Sequence, residues 1–407
     1  MKTIYLIVLL TLLFLSVSKA QWQQINSGLS GSSVYGLAYD EQYIYAGMST
    51  AGVYRSSDKG NNWISVNNML PVWNAWELYS NNDTLYVGFF SYGAYRSVDH
   101  GITWDTLLVG IPNSAVRGFI SNDNYLFAAT WGNGIFRSSD GGDNWIQVNI
   151  GLNHQTFWDI ISVDDTLLAA SVGGGVYRST NNGNIWSQSN NGLTDLSTYR
   201  IASAGNYIYL GTTYSGVFRS SDFGKTWVQT SLDNQTIYAL LAYDTLVFAG
   251  TSGAGVFISY DYGYNWEAFN NGNPIGSIVE LIYDGTFIYA ATLGGGIYKY
   301  DVNNITSIRD SESKNPIAYE LKQNYPNPFN PNTKISWQSP VGSHQTLKVY
   351  DILGNEVATL VNEYRNAGSY EIDFIPASSI KNLASGIYFY RLQVGSFVET
   401  KKMILLK

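Results

Sequence analysis

The stretch that decides the fold is Gly134-Ile135-Phe136-Arg137-Ser138-Ser139-Asp140-Gly141-Gly142-Asp143-Asn144-Trp145. It occurs six times with small changes, and a truncated seventh copy begins at Gly296. The other five full copies begin at Gly52, Gly93, Gly175, Gly216 and Gly255. Successive copies start 41, 41, 41, 41, 39 and 41 residues apart. A fixed period near 40 residues is typical of a repeat architecture.

Each period has the pattern of four short strands. In the first period, the runs Val34–Tyr39, 43–47 and 53–55 are rich in β-branched and aromatic residues, and a fourth run follows Trp63. The third and fourth runs are joined by Ser56-x-Asp58-x-Gly60-x-x-Trp63, where Asp can accept backbone hydrogen bonds and Gly can adopt a positive φ. Four strands per period is the size of a β-propeller blade.

The joining motif Ser-x-Asp-x-Gly-x-x-Trp resembles the Asp-box, or BNR repeat, of sialidases, sortilin-type receptors, xyloglucan-cleaving endoglucanases and photosystem II assembly factors. It is complete at 56–63, 97–104, 138–145, 220–227 and 259–266, whereas Asn181 replaces Asp in the copy at 179–186. First strands are expected to begin near Ser33, Asn74, Ser114, Gln155, Ser197, Gln235 and Gly276. We therefore expect an all-β, seven-bladed propeller over residues 21–304.

The seventh blade lacks an outer strand of its own after Asp301. Residues 21–29 resemble residues 145–152, which follow an Asp-box. We expect residues 22–25 to complete the last blade and close the ring. Closure leaves only short, protected strand edges, which suits an all-β protein.

The first 20 residues have the pattern of a secretory signal. Lys2 precedes an apolar run at 4–15, and Ser18-Lys19-Ala20 places small residues before the expected cleavage site. This run is too short for a spanning helix, and no other candidate for an integral membrane segment is present. The chain has no Cys, so stability outside the cell cannot depend on disulfides.

The expected propeller is acidic. Residues 21–304 contain 10 Lys and Arg against 22 Asp and Glu. This balance argues against nucleic acid or an anionic membrane as a partner.

The repeat stops after Asp301, and a second region begins there. Residues 305–324 have the composition of a linker. Residues 325–407 begin with the Pro-rich run Tyr325-Pro326-Asn327-Pro328-Phe329-Asn330-Pro331 and continue with six strand-like runs separated by turn residues such as Leu353-Gly354-Asn355. This pattern predicts a small antiparallel, Ig-like β-sandwich.

The second region resembles the C-terminal sorting domain of the type IX secretion system. The residues that carry the resemblance are the Pro-rich run, Val349-Tyr350-Asp351-Ile352-Leu353-Gly354, Ala367-Gly368-Ser369-Tyr370, Leu383-Ala384-Ser385-Gly386-Ile387-Tyr388-Phe389-Tyr390-Arg391-Leu392 and Lys401-Lys402-Met403-Ile404-Leu405-Leu406-Lys407. The resemblance implies a secreted or outer-membrane surface-attached protein that uses the type IX machinery as a partner. An ordinary Ig-like binding sandwich is the alternative.

Candidate site residues are those that break the repeat, because a residue present in nearly every blade serves the blade. The Arg repeated at 55, 96, 137, 178 and 219 and the Asp-box Asp are therefore expected to be structural. Nineteen residues before the repeated Arg position, on the innermost strand, the seven blades have Gly36, Glu77, Gly118, Asp159, Arg200, Ala239 and Glu280. One position earlier they have Tyr35, Trp76, Arg117, Trp158, Tyr199, Tyr238 and Val279.

The irregular rows predict a ligand site at the mouth of the channel. Its expected residues are Trp76, Glu77, Arg117, Trp131, Trp158, Asp159, Tyr199, Arg200 and Glu280. Trp131 is taken from the loop between the second and third strands of its blade, and the other eight stand in the two rows. Aromatic faces in this set could stack on sugar rings or on protein side chains. Two alternatives stay open: the aromatic row could be packing between blades, and the charged row could be a buried ion-pair network.

The sequence leaves two functions open. One is a non-catalytic propeller that binds a glycan or a protein. The other is a glycoside hydrolase that uses two carboxylates, for which Glu77, Asp159 and Glu280 are the candidates. The sialidase relatives hold their substrate with three Arg, and outside the repeated positions the propeller has only Arg117 and Arg200. The scattered His100, His154 and His344 predict no metal site, and no cofactor is expected.

Overall fold

The computed structural model describes residues 21–305, 316 and 318–406, except for 72–73, 108, 113–114, 273, 275, 341, 366, 377–382 and 396. Over this part of the chain the backbone is strand and turn, with a short helical turn at 303–305. The expected all-β fold class is confirmed. The expected signal at 1–20 and residues 306–315 and 317 of the expected linker lie outside the described residues.

The described residues between 23 and 301 form seven four-stranded antiparallel sheets. We number them as blades 1 to 7. The first described strand is β1 (Gln23–Gln24). Blade 1 consists of β2 (Val34–Tyr39), β3 (Ile44–Met48), β4 (Gly52–Ser56) and β5 (Ile64–Ser65). Blade 2 consists of β6 (Ala75–Asn81), β7 (Thr84–Phe89), β8 (Ala94–Ser97) and β9 (Asp105–Thr106). Blade 3 consists of β10 (Val116–Ser121), β11 (Leu126–Thr130), β12 (Gly134–Ser138) and β13 (Ile146–Gln147).

Blades 4 to 6 repeat the same order. Blade 4 consists of β14 (Phe157–Val163), β15 (Thr166–Ser171), β16 (Gly175–Ser179) and β17 (Ser187–Gln188). Blade 5 consists of β18 (Thr198–Ala204), β19 (Tyr207–Thr212), β20 (Val217–Ser220) and β21 (Val228–Gln229). Blade 6 consists of β22 (Ile237–Tyr243), β23 (Leu246–Thr251), β24 (Val256–Ser259) and β25 (Glu267–Ala268). Blade 7 contains β26 (Ser277–Tyr283), β27 (Phe287–Leu293), β28 (Gly296–Asp301) and, as its outer strand, β1.

The seven sheets form a closed ring. Each innermost strand contacts the innermost strands of the two neighbouring blades, and β26 of blade 7 contacts β2 of blade 1. This arrangement is consistent with the expected seven-bladed propeller. Within blade 7, Gln23 of β1 lies opposite Lys299, and Gln24 lies opposite Tyr298. The expected closure by the segment at 22–25 is confirmed.

Trp22 fixes the closing strand. Its indole Nε1 donates to the carbonyl of Phe269 at 2.8 Å, and its ring contacts those of Phe269 and Tyr300. Trp63 of the first Asp-box makes the same bond to the carbonyl of Ile25 at 2.8 Å. Trp22 thus occupies an Asp-box Trp position although no Asp-box precedes it, and it seals blade 7 against blade 6.

The Asp-box is a hydrogen-bonded turn. In blade 3, Ser138 Oγ donates to Asp140 at 2.7 Å, and the N–H of Asn144 donates to the same carboxylate at 2.9 Å. The hydrogen bonds from Asn144 lower the pKa of Asp140 to about 2. In blade 4 the amide oxygen of Asn181 accepts from the N–H of Ile185 at 3.0 Å, so a neutral acceptor builds the same turn.

The repeated Arg residues join neighbouring blades. Arg137 Nη1 donates to the carbonyl of Asn182 in the next Asp-box at 2.6 Å, and Arg55, Arg96, Arg178 and Arg219 make the equivalent bond. Lys299 closes the series by donating to the carbonyl of Lys59 at 3.1 Å. Ile258 occupies this position in blade 6, because blade 7 has no Asp-box hairpin to receive a donor.

The C-terminal region is a two-sheet sandwich. Its strands are β29 (Glu320–Leu321), β30 (Thr333–Ser339), β31 (Ser343–Tyr350), β32 (Glu356–Arg365), β33 (Gly368–Phe374), β34 (Gly386–Val394) and β35 (Phe397–Leu405). They form the sheets β29-β30-β33 and β32-β31-β34-β35, which enclose Trp337. Within the Pro-rich run, Phe329 is buried, and its N–H donates to the carbonyl of Ile404 at 2.9 Å.

Candidate functional site

Every innermost strand of the ring contains a β-bulge near its beginning. In blade 2, Ala75 lies opposite Phe89 and Glu77 lies opposite Gly88, so Trp76 is the extra residue. The extra residues in the seven blades are Tyr35, Trp76, Arg117, Trp158, Tyr199, Tyr238 and Val279. A bulge re-aims side chains. As a result, consecutive residues such as Trp76 and Glu77 both line the channel.

The channel opens into a cavity of about 260 Å³ at the end where the innermost strands begin. We call this space the mouth cavity. The Asp-box hairpins lie at the other end, because each follows a third strand that runs away from the mouth. The mouth cavity is lined by Tyr35, Trp76, Glu77, Arg117, Trp158, Tyr199, Arg200, Tyr238, Ser277, Val279 and Leu293.

Aromatic rings form an arc along the mouth. The ring centroids are 5.4 Å apart for Trp131 and Trp158, 4.6 Å for Trp158 and Tyr199, and 5.3 Å for Tyr199 and Tyr238. All three pairs are edge-to-face, which is a favourable geometry for aromatic pairs. Trp131, on the loop between β11 and β12, is 42% exposed and extends the arc to the rim.

Arg117 lies inside this aromatic wall. Its guanidinium carbon is 2.9 Å from the ring centroid of Trp76 and 4.3 Å from that of Trp158. Only 8% of the residue is exposed. Among the described residues, Arg117 forms no ion pair, and its Nε has no hydrogen-bond partner. Burial, reinforced by the positive charge of Arg200, lowers the pKa of Arg117.

Arg200 lies deeper and organises the carboxylates. Its Nη2 is 2.7 Å from Glu280 Oε2, its Nη1 is 3.7 Å from Glu77 Oε2, and its Nε donates to the carbonyl of Tyr238 at 3.0 Å. We call Glu77, Asp159, Arg200 and Glu280 the channel ion cluster. The side chains of the two glutamates and of Arg200 are 11–16% exposed. The cluster therefore plugs the channel below the mouth.

Asp159 and Glu280 do not line the mouth cavity. They face a second cavity of about 330 Å³ on the Asp-box side, which Glu77 and Arg200 also border. Both oxygens of Asp159 accept backbone hydrogen bonds, from Ile160 at 2.8 Å and from Ile201 at 3.0 Å. The bond from Ile201 ties blade 4 to blade 5, and each oxygen of Asp159 is engaged by a backbone N–H group.

Burial raises the pKa values of the three carboxyls in the channel ion cluster. It raises the pKa of Glu77 well above its usual range; Arg200 opposes the shift, while Glu280 and Asp159 reinforce it. Burial also raises the pKa values of Asp159 and Glu280 against the effect of Arg200. A protonated Glu77 could serve as a general acid. The other two carboxyls of the cluster, however, are already bound: Glu280 pairs with Arg200, and Asp159 accepts hydrogen bonds from backbone N–H groups.

The structure brings six of the nine expected site residues to the mouth cavity: Trp76, Glu77, Arg117, Trp158, Tyr199 and Arg200. Trp131 lies at the rim, and Asp159 and Glu280 line the cavity on the other side of the plug. The open ion-pair alternative holds for Arg200 but not for Arg117, which stacks on tryptophans. Five lining residues are not in the expected set: Tyr35, Tyr238 and Val279 stand in one of the two rows, whereas Ser277 and Leu293 belong to neither row.

Two general features are absent from the described residues. They include no group of three or more His, Asp or Glu side chains placed to hold a metal ion. No helix among them is both long and apolar enough to span a membrane.

Two family models match the chain. The secretion-system C-terminal sorting domain matches residues 323–406, and the BNR-Asp box repeat matches residues 217–230. The chain is an Asp-box β-propeller with a C-terminal sorting domain. Among curated proteins, none matches it in sequence. The sorting domain places this Asp-box propeller among proteins that are secreted or carried to the outer-membrane surface.

Solved structures similar to this Asp-box propeller are distant in sequence. PorZ of Porphyromonas gingivalis, a bacterial surface component of the type-IX secretion system, is 15% identical, with 94% of this chain and 60% of PorZ covered, at a TM-score of 0.54. YCF48 from Cyanidioschyzon merolae is 14% identical, with 70% and 100% covered, at 0.57. The GH74 xyloglucanase from Xanthomonas campestris is 14% identical, with 78% and 59% covered, at 0.56.

These similarities show the propeller fold and no activity. The chain also spans only about 60% of PorZ and of the xyloglucanase. One fold can carry unrelated functions, so function has to be argued from the residues of the site.

Proposed function

We propose that this protein is a secreted or surface-attached, non-catalytic propeller whose mouth cavity binds a glycan. The observation that supports the proposal is the wall of the cavity, where aromatic faces surround one buried guanidinium. Ligand pockets of this kind combine mostly apolar lining with a few placed polar groups. Aromatic faces can stack on the apolar side of a sugar ring, and the guanidinium supplies hydrogen bonds for its oxygens.

The size and shape of the site favour a glycan over a protein partner. The mouth cavity is concave and holds about 260 Å³. A stable protein interface buries roughly 800 Å² on each partner. Beyond the cavity, the exposed aromatic residues among the described part of this face lie on three loops in three different blades: Phe90 and Tyr92 on one loop, Trp131 on a second and Tyr214 on a third. They do not extend the apolar surface into a flat interface.

The carboxylates favour binding over hydrolysis. Glycoside hydrolysis needs one carboxyl as acid and a second as base or nucleophile. Glu77 is the one carboxyl that lines the described wall of the mouth. On the Asp-box side, Glu280 is paired with Arg200 at 2.7 Å, and both oxygens of Asp159 accept backbone hydrogen bonds.

A glycan array probed with the exported chain tests the binding function. We expect binding by the parent protein, loss of at least tenfold in affinity for Trp158→Ala, and no change for the control Tyr325→Ala. Tyr325 is exposed on the sorting domain, so this control removes a tyrosine far from the mouth. Equal binding by Trp158→Ala and parent would refute the site, and binding to proteins but to no glycan would refute the ligand class.

Hydrolysis of a polysaccharide panel tests the non-catalytic part of the proposal. We expect no turnover by the parent protein. Turnover that disappears in Glu77→Gln would establish the hydrolase alternative instead.

The proposed route of export has two steps. The expected signal at 1–20 directs the chain across the inner membrane, and the sorting domain then engages the type IX machinery. Fractionation of a type IX-competent bacterium tests this route. Full-length chain should reach the cell surface or medium, whereas chain ending at residue 304 should accumulate in the periplasm. Surface delivery of the shortened chain would contradict the role of the sorting domain.

A further inference from the structure

Arg117 is the arginine of the mouth cavity that forms no ion pair with a described residue. A buried guanidinium is normally paired with a carboxylate or fully hydrogen-bonded, because burying a lone charge is costly. Arg200 meets this rule through Glu77 and Glu280. Arg117, 92% buried, has no carboxylate partner in the described part of the chain, and its Nε is without an acceptor.

The surroundings of Arg117 hold the guanidinium ready for a ligand. Trp76 and Trp158 contact it at 2.9 and 4.3 Å from their ring centroids, and Trp131 lies 5.4 Å away. Cation–π contacts engage the face of a guanidinium and leave its N–H edge free to donate in its own plane. That edge belongs to a side chain that lines the mouth cavity. An acceptor in the cavity can therefore reach it.

We propose that Arg117 binds the carboxylate of an acidic sugar, so that the ligand of the mouth cavity is a uronic acid-containing glycan. The inference rests on the proposed glycan-binding function and adds the charge of its ligand. A planar carboxylate can accept two parallel N–H bonds from a guanidinium, and such bidentate pairs are strong and directional. The tryptophans beside Arg117 would hold the sugar ring that carries the carboxylate.

The charges around the site are compatible with an anion. Glu77 is the one carboxyl among the described residues that line the mouth cavity, and Arg200 lies beside it there. Asp159 and Glu280 face the cavity below the plug. An anion bound at Arg117 thus meets two guanidinium groups and one carboxyl, Glu77, whose pKa is raised by burial. The acidic net charge of the propeller lies mostly in residues outside the mouth.

A matched pair of ligands provides the test. Titration calorimetry compares the exported chain with an oligogalacturonate and with the same oligomer methyl-esterified at its carboxyls. We expect the ester to bind at least tenfold more weakly. An alginate oligomer, a glucuronan oligomer, a neutral galactan and a sulfated dextran complete the panel and cover other uronates, neutral sugars and non-carboxylate anions.

Two variants locate the effect. Arg117→Gln should lose the preference for the acid form, whereas Lys225→Gln, which removes an exposed positive charge on the Asp-box side, should keep it. If Arg117→Gln does not fold, the comparison of acid and ester on the parent protein still shows whether the ligand is recognised through its carboxylate.

The outcomes separate this inference from the function on which it rests. Equal binding of acid and ester, binding of the neutral galactan alone, or binding of the sulfated glycan without any uronate would each overturn the carboxylate assignment while leaving a glycan-binding mouth. Unchanged acid preference in Arg117→Gln would overturn the role of Arg117. Absence of binding to every glycan would overturn both proposals.

Discussion

Replacing Arg200 by Met tests the channel ion cluster directly. Arg200 pairs with Glu280 at 2.7 Å and lies 3.7 Å from Glu77, and its charge also acts on Asp159. Met retains most of the apolar stem and removes the positive charge. Three acidic groups then share a narrow, largely buried space without a counter-charge. The variant should therefore lose stability, and the loss should depend on pH.

The structure sets the size of the loss. Removing one partner of a buried ion pair costs about 3–5 kcal/mol, because the remaining charge is left unpaired. The paired side chains are 11–16% exposed, and both cavities border the cluster. We therefore expect a loss at the lower end of this range, about 3 kcal/mol in the free energy of unfolding near pH 7.5.

The direction of the pH dependence follows from the raised pKa values of Glu77, Asp159 and Glu280. A carboxyl whose pKa is higher in the folded than in the unfolded chain stabilises the fold while protonated and loses that contribution as the pH rises through its folded pKa. Removing Arg200 raises these folded values further. The difference from the parent protein should therefore be large near pH 7.5 and smaller near about pH 5.

Urea unfolding followed by tryptophan fluorescence measures this loss. Eleven of the 12 Trp precede residue 305, so the signal reports mainly on the propeller. Lys225→Met, at an exposed position, is the matched control and should change stability by less than about 0.5 kcal/mol. Arg200→Met/Glu77→Gln should recover part of the loss. A loss below about 1 kcal/mol at pH 7.5, or the same loss at both pH values, would refute the ion-cluster reasoning.

Four further predictions use the same urea assay. Trp22→Ala should lower the free energy of unfolding by about 4 kcal/mol, because it opens a cavity where β1 closes the ring and leaves the carbonyl of Phe269 without its donor. The control Trp131→Ala, at the exposed rim, should lower it by less than about 1 kcal/mol. Equal losses in the two variants would contradict closure by β1. Arg137→Ala should cost about 1.5 kcal/mol, since its bond joins blades 3 and 4. Asp261→Ala should cost about 2 kcal/mol and Asp261→Asn less than half of that, because Asn builds the same turn in blade 4. Glu77→Gln should change stability by less than about 1 kcal/mol at neutral pH, because burial already favours the protonated acid; a larger loss would show that Glu77 is ionised.

The repeat made the ring predictable from the sequence. Each period repeats the same pattern of strands and turns. The turn at Asp140, the packing of Trp145 and the four-strand pattern could therefore be inferred from the agreement among copies. The closing strand was also predictable, because residues 21–29 resemble the segment that comes directly after a complete Asp-box. The role of the repeated Arg became specific in the structure, where Ile258 stands at the blade whose neighbour lacks the hairpin.

The site was less predictable, because its geometry comes from irregular backbone and from contacts across the ring. Alternation along a strand places Trp76 and Glu77 on opposite faces, and the bulge overrides that rule in every blade. The distance from Arg200 to Glu280 spans two blades and 80 positions of sequence, which no local pattern encodes. The two rows contain nine of the 11 residues that line the mouth cavity, but the division into a mouth cavity and a lower cavity required the fold.

The plug gives the two ends of the channel different chemistry. Above it, Arg117 and the aromatic arc face the mouth; below it, Asp159 and Glu280 face the Asp-box side. Arg200 forms ion pairs with Glu280 and Glu77 from two directions, whereas Arg117, two blades away, forms no ion pair with a described residue. An arginine that is unpaired within an aromatic wall, beside one that is paired with carboxylates, is the arrangement that we expect of a site that receives an anion from the mouth.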